Sequence, residues 1–322
     1  MIRIAIWSSA RGAEFGKAVS QIPDVEVDVV PSASALVAAV EEAEVLVTPD
    51  GSLTPDVLEA IGRAPKLAWI QLGSAGYDRL QASGVRPGVM VSNASAALGP
   101  PVADHAVMLL LSLLRRLPVA LRQQQAGDWS REYAGGADGL DRKTVTILGF
   151  GQIGQETARR LRPFGARIVG VSRTARPNAL ADEVAPVEAL PELLPRSDAL
   201  VVAVPLSPGA GPQIGADELA LLPPHAVLVN VSRGGVVDGA ALVDALSRGA
   251  LAGAALDVTD PEPLPPGHPL WTMKNVIVTP HVAGSGGPAV QRRLERVISD
   301  NIRRYARGER PAHLVELGDP GR

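Results

Sequence analysis

Short apolar runs alternate with helix-like segments through the first 93 residues of the chain. The runs at 3–7, 25–30, 44–47 and 68–72 have the length and composition of buried strands. The segments at 33–42 and 54–60 carry helix-forming residues. This alternation predicts a parallel sheet covered by helices, in a first α/β unit that ends around residues 89–93.

A second alternation starts near residue 144 and continues almost to residue 280. Six strand-like runs are separated by helix-forming segments, and six is the number of strands in a full dinucleotide-binding sheet. These runs lie at 144–148, 167–171, 199–204, 226–231, 253–257 and 276–278, with helices predicted at 216–222 and 239–248. A long helix at 288–307 and a tail at 314–317 follow, which suggests that the C-terminal segment completes the first unit.

The two alternations predict an α/β fold with two domains. We expect two Rossmann-like or flavodoxin-like α/β domains, each with a parallel sheet, and a cleft between them. The predicted boundaries assign 1–98 and 286–322 to a substrate (catalytic) domain and 99–285 to a dinucleotide-binding Rossmann domain. A chain of 322 residues with 46% hydrophobic content is long enough for two full cores.

The segment 101–116 is apolar on nearly every side and reads P-V-A-D-H-A-V-M-L-L-L-S-L-L-R-R. It is predicted to be a helix that stops at Leu117-Pro118, with a second helical piece through residue 125. Such a helix must be buried on most sides, so we expect it to join the domains and to form a homodimer. A role confined to the core of one chain is the alternative. His105 on this helix is interpreted as a satisfied core or interface histidine.

Composition and charge argue against several function classes. The formal net charge is −3 and no block of Lys or Arg stands out, so a nucleic-acid partner is not expected. The apolar N-terminus is too short for a signal segment and no run reaches membrane-spanning length, which predicts a soluble cytoplasmic protein without a membrane partner. The chain has no cysteine, and none of its five histidines is paired with another at ligand spacing, so no metal site is expected.

A glycine-rich turn lies between the strand at 144–148 and the helix that follows it. Its glycines have G-x-G-x-x-G spacing at this strand-to-helix junction. They permit a tight turn and close approach of the backbone to a pyrophosphate, while the helix N-terminus offers N–H groups to the phosphates. A turn without a ligand is the alternative. The predicted cofactor contacts in this turn are Gly149, Phe150, Gly151, Gln152, Ile153 and Gly154.

Three polar motifs follow later strands of the same unit. They read N-V-S-R-G-G from Asn230, E-P-L-P from Glu262 and T-P-H-V-A-G from Thr279. In their order and spacing the chain resembles the D-isomer-specific 2-hydroxyacid dehydrogenases, which include glyoxylate/hydroxypyruvate reductases, D-lactate dehydrogenase and phosphoglycerate dehydrogenase. The resemblance covers nearly the whole chain, and the three motifs together are far more specific than the glycine spacing.

Reduction of a 2-keto acid needs a hydride donor, an acid for the carbonyl oxygen and a cation for the carboxylate. His281 is the predicted acid because imidazole changes charge near neutral pH. Glu262 can bind the other ring nitrogen and favour the protonated ring, and Arg233 offers a planar fork to the carboxylate. The family's corresponding residues imply the same catalytic triad. The alternatives are a histidine bonded to backbone, a solvated acid and an arginine exposed in a turn.

The resemblance implies further contacts on both domains. The turn G-S-A-G-Y-D at 73–78 is similar to the family's carboxylate-binding turn, so the amides of Ala75 and Gly76 are expected to bind the substrate together with Arg233. A plain strand-ending turn is the alternative. Trp129 is a candidate to reach the cleft, including that of a partner subunit, with packing as the alternative. The cofactor contacts that the resemblance implies outside the glycine turn are Pro205, Val231, Asp257, His281 and Gly284.

The end of the strand at 167–171 bears on the choice of cofactor. An NAD-specific site places an Asp or Glu there for the ribose 2′-hydroxyl, about 20 residues past the glycines. The chain has V-S-R-T-A-R instead, where Ser172 can donate a hydrogen bond and Arg173 and Arg176 can pair with a 2′-phosphate. This resembles the NADPH-using reductases of the family and predicts NADP(H) as the preferred cofactor, with NAD(H) as the second possibility. Two solvated arginines are the alternative.

The predicted function is reduction of a small 2-keto acid, such as glyoxylate or hydroxypyruvate, to a D-2-hydroxy acid. A formate dehydrogenase is disfavoured because Glu262 stands where that branch resembles a glutamine, whereas phosphite oxidation remains open. The alternative from another class is a nucleotide-sensing, corepressor-like interaction protein, since transcriptional corepressors share the fold and the triad. The neutral-to-acidic surface and the lack of a disordered partner-binding extension favour an enzyme.

Overall fold

A computed structural model describes residues 1–206 and 211–317 of the chain. The strands in this part are β1 (Ile2–Ile6), β2 (Val25–Val29), β3 (Val45–Thr48), β4 (Trp69–Leu72), β5 (Met90–Ser92), β6 (Thr144–Leu148), β7 (Arg167–Val171), β8 (Glu183–Ala185), β9 (Ala199–Val202), β10 (Val227–Asn230), β11 (Gly253–Leu256) and β12 (Val276–Val278). The helices are α1 (Gly12–Val19), α2 (Ala33–Glu42), α3 (Pro55–Arg63), α4 (Asp78–Ser83), α5 (Ser95–Leu114), α6 (Leu117–Ala126), α7 (Gln152–Leu161), α8 (Leu190–Leu193), α9 (Ala216–Leu221), α10 (Gly239–Ser247) and α11 (Pro288–Ala306).

The first compact unit comprises Met1–Gly99 together with the chain from Gly286 onward. Its five strands form a parallel sheet in the order β2-β1-β3-β4-β5. The tail adds an antiparallel bridge from Leu314 to Ser92 at the edge strand. The long helix α11 contributes buried side chains to the core of this unit, namely Leu294, Ile298 and Ile302. Helix and tail therefore complete an α/β unit that begins at the N-terminus.

The second compact unit, Pro100–Ser285, contains a seven-stranded parallel sheet in the order β12-β11-β10-β9-β6-β7-β8. β6 lies between β9 and β7 in this order, with Leu148 opposite both Val171 and Val202. The central strands are rich in Val, Ile and Leu and are buried on both faces, as expected for a parallel sheet covered by helices. Because all seven strands run in one direction, their carboxyl ends meet at a single edge. The prediction of two parallel-sheet α/β domains is confirmed.

Helix α5 starts six residues earlier than predicted, at Ser95 instead of residue 101, and carries Pro100 and Pro101 inside it. Proline normally marks the start or a break of a helix because it lacks an N–H and crowds the preceding turn. Here the turn before the prolines is held by buried Ala97 and Leu98, so tertiary packing overrides the local signal. The sequence pattern therefore predicted a helix start at the prolines, whereas the helix in the structure continues through them.

The same helix corrects the expectation that no apolar run reaches membrane-spanning length. By length and composition alone α5 is long and apolar enough to cross a membrane, with a mean hydropathy of 1.5 over its most apolar window. Within that window 56% of the helix is buried inside the chain, and Ala106, Leu109 and Leu110 lie in the core of the second unit. The core helix of a soluble protein passes the same test, and the buried side chains of α5 fit that description.

The elements that the sequence did not predict include α1 and β8, as well as the short helices α4 and α8. Helix α1 contains Gly12 and Gly16, and a Cβ on Gly16 would overlap the side chain of Val29 on β2. Glycine lets this helix approach the strand closely, yet it also weakens the helical signal. The predicted six-strand count for the second sheet was also incomplete, because β8 is a three-residue edge strand too short to show a pattern.

Candidate active site

The glycine turn lies where β6 passes into α7, at the carboxyl edge of the second sheet. Gly149 has φ +100, and a Cβ there would stand 2.5 Å from the carbonyl oxygen of Ala203. A Cβ on Gly154 would overlap the carbonyl oxygen of Gly149, which explains why two of the three positions need glycine. Around Gly151, by contrast, no described residue other than its neighbours in the chain comes within 4 Å of where a Cβ would stand.

Gly151 is also the N-cap of α7, and it provides no side chain to bond the first N–H groups of the helix. The first N–H groups of an α-helix have no intrahelical partner, and the helix dipole favours an anion at this end. Open space above the turn and unpaired helix amides together form a cradle that fits a pyrophosphate. Gln152 is exposed and Ile153 is half-buried at the same end of the helix.

Phe150 has a different role from its neighbours in the turn. Its ring is buried and packs against Gly170 of β7, where a Cβ would stand 2.5 Å from the ring. Its amide donates to Val171 at 3.0 Å. Both the side chain and the N–H of Phe150 therefore make contacts inside the protein, and a cofactor contact at this residue remains a prediction beside this supporting role. Gly170 is what lets the ring lie flat against the strand.

The end of β7 carries the residues predicted to select the cofactor. Ser172 is half-buried and its amide donates to Ala185 at 3.0 Å, which fixes the start of the loop. Arg173 and Arg176 are both exposed, and within residues 1–206 and 211–317 neither has an ion pair or a hydrogen-bonded carboxylate. The structure therefore presents two unpaired guanidinium groups one strand away from the glycine turn.

Arg233 lies in the loop after β10, and this loop is built by Asn230. The Asn230 side chain is 1% exposed, donates to the carbonyl oxygen of Arg233 at 2.9 Å and accepts from the amide and hydroxyl of Ser232. A Cβ on Gly234 would overlap the backbone carbonyl of Thr259 in the next loop. In the N-x-x-R-G motif, the buried Asn230 side chain thus shapes the loop, and Gly234 allows this loop to pack closely against the loop of Thr259.

Glu262 and His281 form a hydrogen-bonded pair. The Nδ1 atom of His281 lies 3.0 Å from Oε2 of Glu262, and the two side chains are 45% and 44% exposed. Within the described part of the chain, Nε2 of His281 has no protein partner. Both peptide bonds before Pro261 and Pro263, on either side of Glu262, are cis. The ring is therefore held by one nitrogen and presents the other outward.

Asp257, at the end of β11, was expected to contact the cofactor. In the structure its side chain is 1% exposed and forms hydrogen bonds inside the protein. Its carboxylate accepts from Thr279 Oγ1 at 2.6 Å, from the Val282 amide at 3.0 Å and from the Ala283 amide at 2.9 Å. These bonds brace the loop that carries His281. A cofactor contact by Asp257 remains a prediction beside this structural role.

His105 has a hydrogen-bond partner, as expected for a satisfied core histidine: its Nε2 atom lies 2.9 Å from Thr279 Oγ1. This contact brings a helix residue to the loop of His281, and nothing in the periodicity of the helix indicates it. Among the other predicted contacts, Pro205 is exposed, Val231 is 6% exposed and Gly284 is half-buried. Among the described residues, no group of three or more His, Asp or Glu side chains could hold a metal ion.

In the first unit, the predicted anion turn follows β4. Ser74 holds it in shape, accepting from the Asp50 amide at 3.0 Å and donating to the Gly76 carbonyl at 2.9 Å. Asn93 donates to the Ala75 carbonyl at 2.9 Å. Within the described residues, the amides of Ala75 and Gly76 donate no hydrogen bond. The turn thus has two available N–H groups, and their use by a substrate carboxylate remains a prediction.

Asp50 connects this turn to the helix that follows it. Its carboxylate accepts from the amides of Arg79 and Leu80 at 3.0 and 3.2 Å, at the start of α4. Burial raises the pKa of the Asp50 carboxyl above its usual value, although these two hydrogen bonds act in the opposite direction. Asp50 is 6% exposed, and its amide and carboxylate together connect the turn to α4.

Comparison with known proteins bears on the family. Residues 107–283 match the family model of the D-isomer specific 2-hydroxyacid dehydrogenase, NAD binding domain. A glyoxylate reductase of Thermococcus litoralis is 36% identical over 294 residues, with 88% of this chain and 87% of the relative covered. The human glyoxylate reductase/hydroxypyruvate reductase is 37% identical over 257 residues, with 79% and 77% covered.

A solved structure agrees with these matches over almost the full length. The D-isomer specific 2-hydroxyacid dehydrogenase from Xanthobacter autotrophicus Py2, in complex with NADPH and MES, superposes with a TM-score of 0.79. It is 32% identical, and the alignment covers 99% of this chain and 98% of that one. The chain therefore belongs to the D-isomer specific 2-hydroxyacid dehydrogenase family and is an NAD(P)-dependent oxidoreductase.

Proposed function

We propose that this protein uses NADPH to reduce a small 2-keto acid, of the glyoxylate or hydroxypyruvate kind, to the D-2-hydroxy acid. The observation that carries the proposal is the His281–Glu262 pair, with Nε2 of the imidazole left open at the carboxyl edge of the sheet. An acid at this position suits a carbonyl that becomes an alkoxide during reduction. The glyoxylate reductases among its relatives support the substrate class.

Three residues of this chain have separate roles in the proposed reduction. His281 gives the proton on Nε2 to the carbonyl oxygen of the substrate, while its Nδ1 hydrogen is held by Glu262. The carboxylate of Glu262 fixes the ring and stabilises its positive charge before the proton is transferred. Arg233, whose Nη1 also donates to the carbonyl oxygen of Ser232 at 2.7 Å, binds the substrate carboxylate through its guanidinium group. The nicotinamide cofactor supplies the hydride when it is bound.

The cofactor fits the glycine turn for a structural reason. The open space above Gly151 and the unpaired amides at the start of α7 would hold the pyrophosphate. Beyond β7, Ser172 and the two arginines would hold a 2′-phosphate, whereas an NAD site would need a carboxylate there. The Xanthobacter relative was solved with NADPH, which supports the same choice for this chain.

We expect the Arg173→Ala variant to lose its preference for NADPH, mainly through a higher KM for that cofactor. A charge-assisted contact of this kind contributes roughly 1.5 to 3 kcal/mol, which is about ten- to hundredfold in binding. Steady-state kinetics with NADPH and NADH measure the ratio of specificity constants. Arg142→Ala is the matched control, because Arg142 is 91% exposed and stands before β6, away from the carboxyl edge. Equal specificity constants for the two cofactors in the wild type would contradict the proposal.

The substrate class is tested by the loss of nicotinamide absorbance with a panel of 2-keto acids that differ in side chain. We expect the small members, glyoxylate and hydroxypyruvate, to give the highest kcat/KM, with a D-2-hydroxy acid as product. Phosphite is tested in a separate assay with NADP+ or NAD+ as the hydride acceptor, where its oxidation would raise the absorbance. Binding of NADPH without turnover of any panel member would reject the reductase. The sensing alternative is not favoured, since the relatives are reductases.

We also propose a homodimer formed through α5, α6 and the segment after them. Several large apolar side chains are exposed there on the single chain, namely Met108 (46%), Leu117 (43%), Leu121 (49%) and Trp129 (91%). No residue of α6 is fully buried, so this helix has an apolar side without a cover inside its own unit. An isologous pair would bury it. Light scattering at micromolar concentration should give twice the chain mass, and Leu121→Glu should shift the mass toward one chain.

A further inference from the structure

A histidine on helix α5 contacts the loop that carries His281. His105 is only 15% exposed at its side chain, and its Nε2 atom lies 2.9 Å from Thr279 Oγ1 and 3.3 Å from Asp257 Oδ1. The single hydroxyl hydrogen of Thr279 is donated to Asp257 Oδ1 at 2.6 Å. The Thr279 oxygen can therefore only accept from His105, so Nε2 of His105 carries a hydrogen and is the donor.

The donor is directed at a carboxylate that has almost no access to water. Asp257 is 1% exposed, and besides Thr279 it accepts from the amides of Val282 and Ala283. A buried carboxylate is costly unless every lone pair facing the interior finds a donor. His105 completes this set from the helix side, while the other donors come from the loop itself. Asp257 is thus a junction between α5 and the loop.

The backbone of His281 depends on the same junction. The amide of His281 donates to the carbonyl oxygens of Asp257 at 2.7 Å and Thr279 at 3.0 Å. Its φ is +51, a conformation that residues other than glycine adopt rarely and keep only when their surroundings enforce it. Residues on both sides of His281 are tied to Asp257. A change at Asp257 would therefore alter the orientation of the His281 ring.

We propose that His105 is a positioning residue of the reductase: its N–H to Thr279 and Asp257 holds the loop that presents His281 to the substrate. The inference rests on the proposed function for its kinetic part. Within the described residues no hydrogen bond joins His105 to the His281 ring, so we expect its effect to pass through the Asp257 junction. Its loss acts on proton delivery more than on cofactor binding.

The first experiment compares His105→Leu with His105→Gln. Leucine removes the donor at similar volume, whereas glutamine can restore an N–H near the same place. We expect His105→Leu to lower kcat with the 2-keto acid by about ten- to hundredfold, since a small misplacement of a catalytic group is costly in rate, with the KM for NADPH changed by less than about threefold. His105→Gln should recover most of kcat. His225→Leu is the control, because His225 also pairs with an aspartate, Asp198, but stands 62% exposed before β10.

A double-mutant cycle separates positioning from general damage. If His105 acts through His281, the His105→Leu change should lower kcat little further in a His281→Ala background. The same fold loss in both backgrounds would overturn the proposal, as would His105→Gln failing to recover the rate while retaining the melting temperature of the wild type.

Amide hydrogen exchange followed by NMR tests the loop without any substrate. The amides of Val282 and Ala283 should exchange at least about tenfold faster in His105→Leu than in the wild type, because their shared acceptor is less constrained. Should the Leu variant not fold, the Gln variant is measured, and near-native exchange is expected for it. Unchanged exchange in a folded Leu variant would overturn the proposal. Faster exchange in a protein that reduces no 2-keto acid would support the loop role and reject the reductase.

Discussion

The His281→Ala variant is expected to reduce its 2-keto acid about 10²- to 10⁴-fold more slowly than the wild type, with nearly unchanged affinity for NADPH. Alanine removes the imidazole that we propose as the proton donor, and general acids contribute about this factor. The glycine turn, which we propose to hold the cofactor, follows β6, four strands away from β12 in the sheet order. Stopped-flow reduction and fluorescence titration with NADPH measure the two effects separately.

His225→Ala serves as the control for this variant. His225 is 62% exposed and lies at the amino-terminal end of β10, so its removal should leave the rate within about twofold of the wild type, as for surface substitutions generally. If His281→Ala reduced the substrate at near-normal rate, His281 would not be the proton donor. A loss of NADPH affinity equal to the loss of rate would assign His281 to cofactor binding instead.

Replacement of Gly234 by alanine is expected to cost about 10²-fold in kcat/KM and about 1 to 3 kcal/mol of stability. The new Cβ would overlap the carbonyl group of Thr259, which belongs to the loop that leads to Glu262. Relief of this overlap requires the loops of Arg233 and Glu262 to move apart, and a shift of about 1 Å at catalytic groups costs rate steeply. Overpacking of a buried contact accounts for the loss of stability. Steady-state kinetics and urea unfolding measure both.

Gly235→Ala is the matched control for Gly234→Ala, since it makes the same chemical change one residue later. The nearest atoms to a Cβ on Gly235 belong to the flexible side chains of Asp260, at 3.4 Å, and Leu206, at 3.6 Å. We expect this variant to retain most of its activity. If both alanine variants behaved alike, the contact between the Arg233 loop and Thr259 would not be what matters in the N-x-x-R-G motif.

The sequence predicted the sheets and the Glu262–His281 pair because these features are local in the chain. Strand runs such as 144–148 are continuous and apolar, and each residue of the pair lies in the loop that follows its strand. Parallel strands then bring the loop residues to one edge without further information. The same reasoning supported recognition of the family, which the comparisons confirmed.

The features that the sequence did not predict depend on contacts between distant residues. His105 and Thr279 are 174 positions apart, and an apolar helix pattern cannot show that one of its polar residues meets a loop. The start of α5 was misplaced because buried Ala97 and Leu98 outweigh the proline signal. The packing of the Phe150 ring on Gly170 of another strand was also not predicted, since the motif gives no sign of it.

On the roles that we propose for Arg173 and Arg233, the strand order of the second sheet makes coenzyme choice and catalysis separately adjustable. Arg173 follows β7, whereas the loop of Arg233 follows β10, with β6 and β9 between them. At about 4.8 Å between neighbouring strands, roughly 14 Å separates the two strand ends. Substitutions this far apart usually act additively. If the proposed roles hold, a few exchanges after β7 would move such an enzyme from one nicotinamide pool of the cell to the other without a change in its proton chemistry.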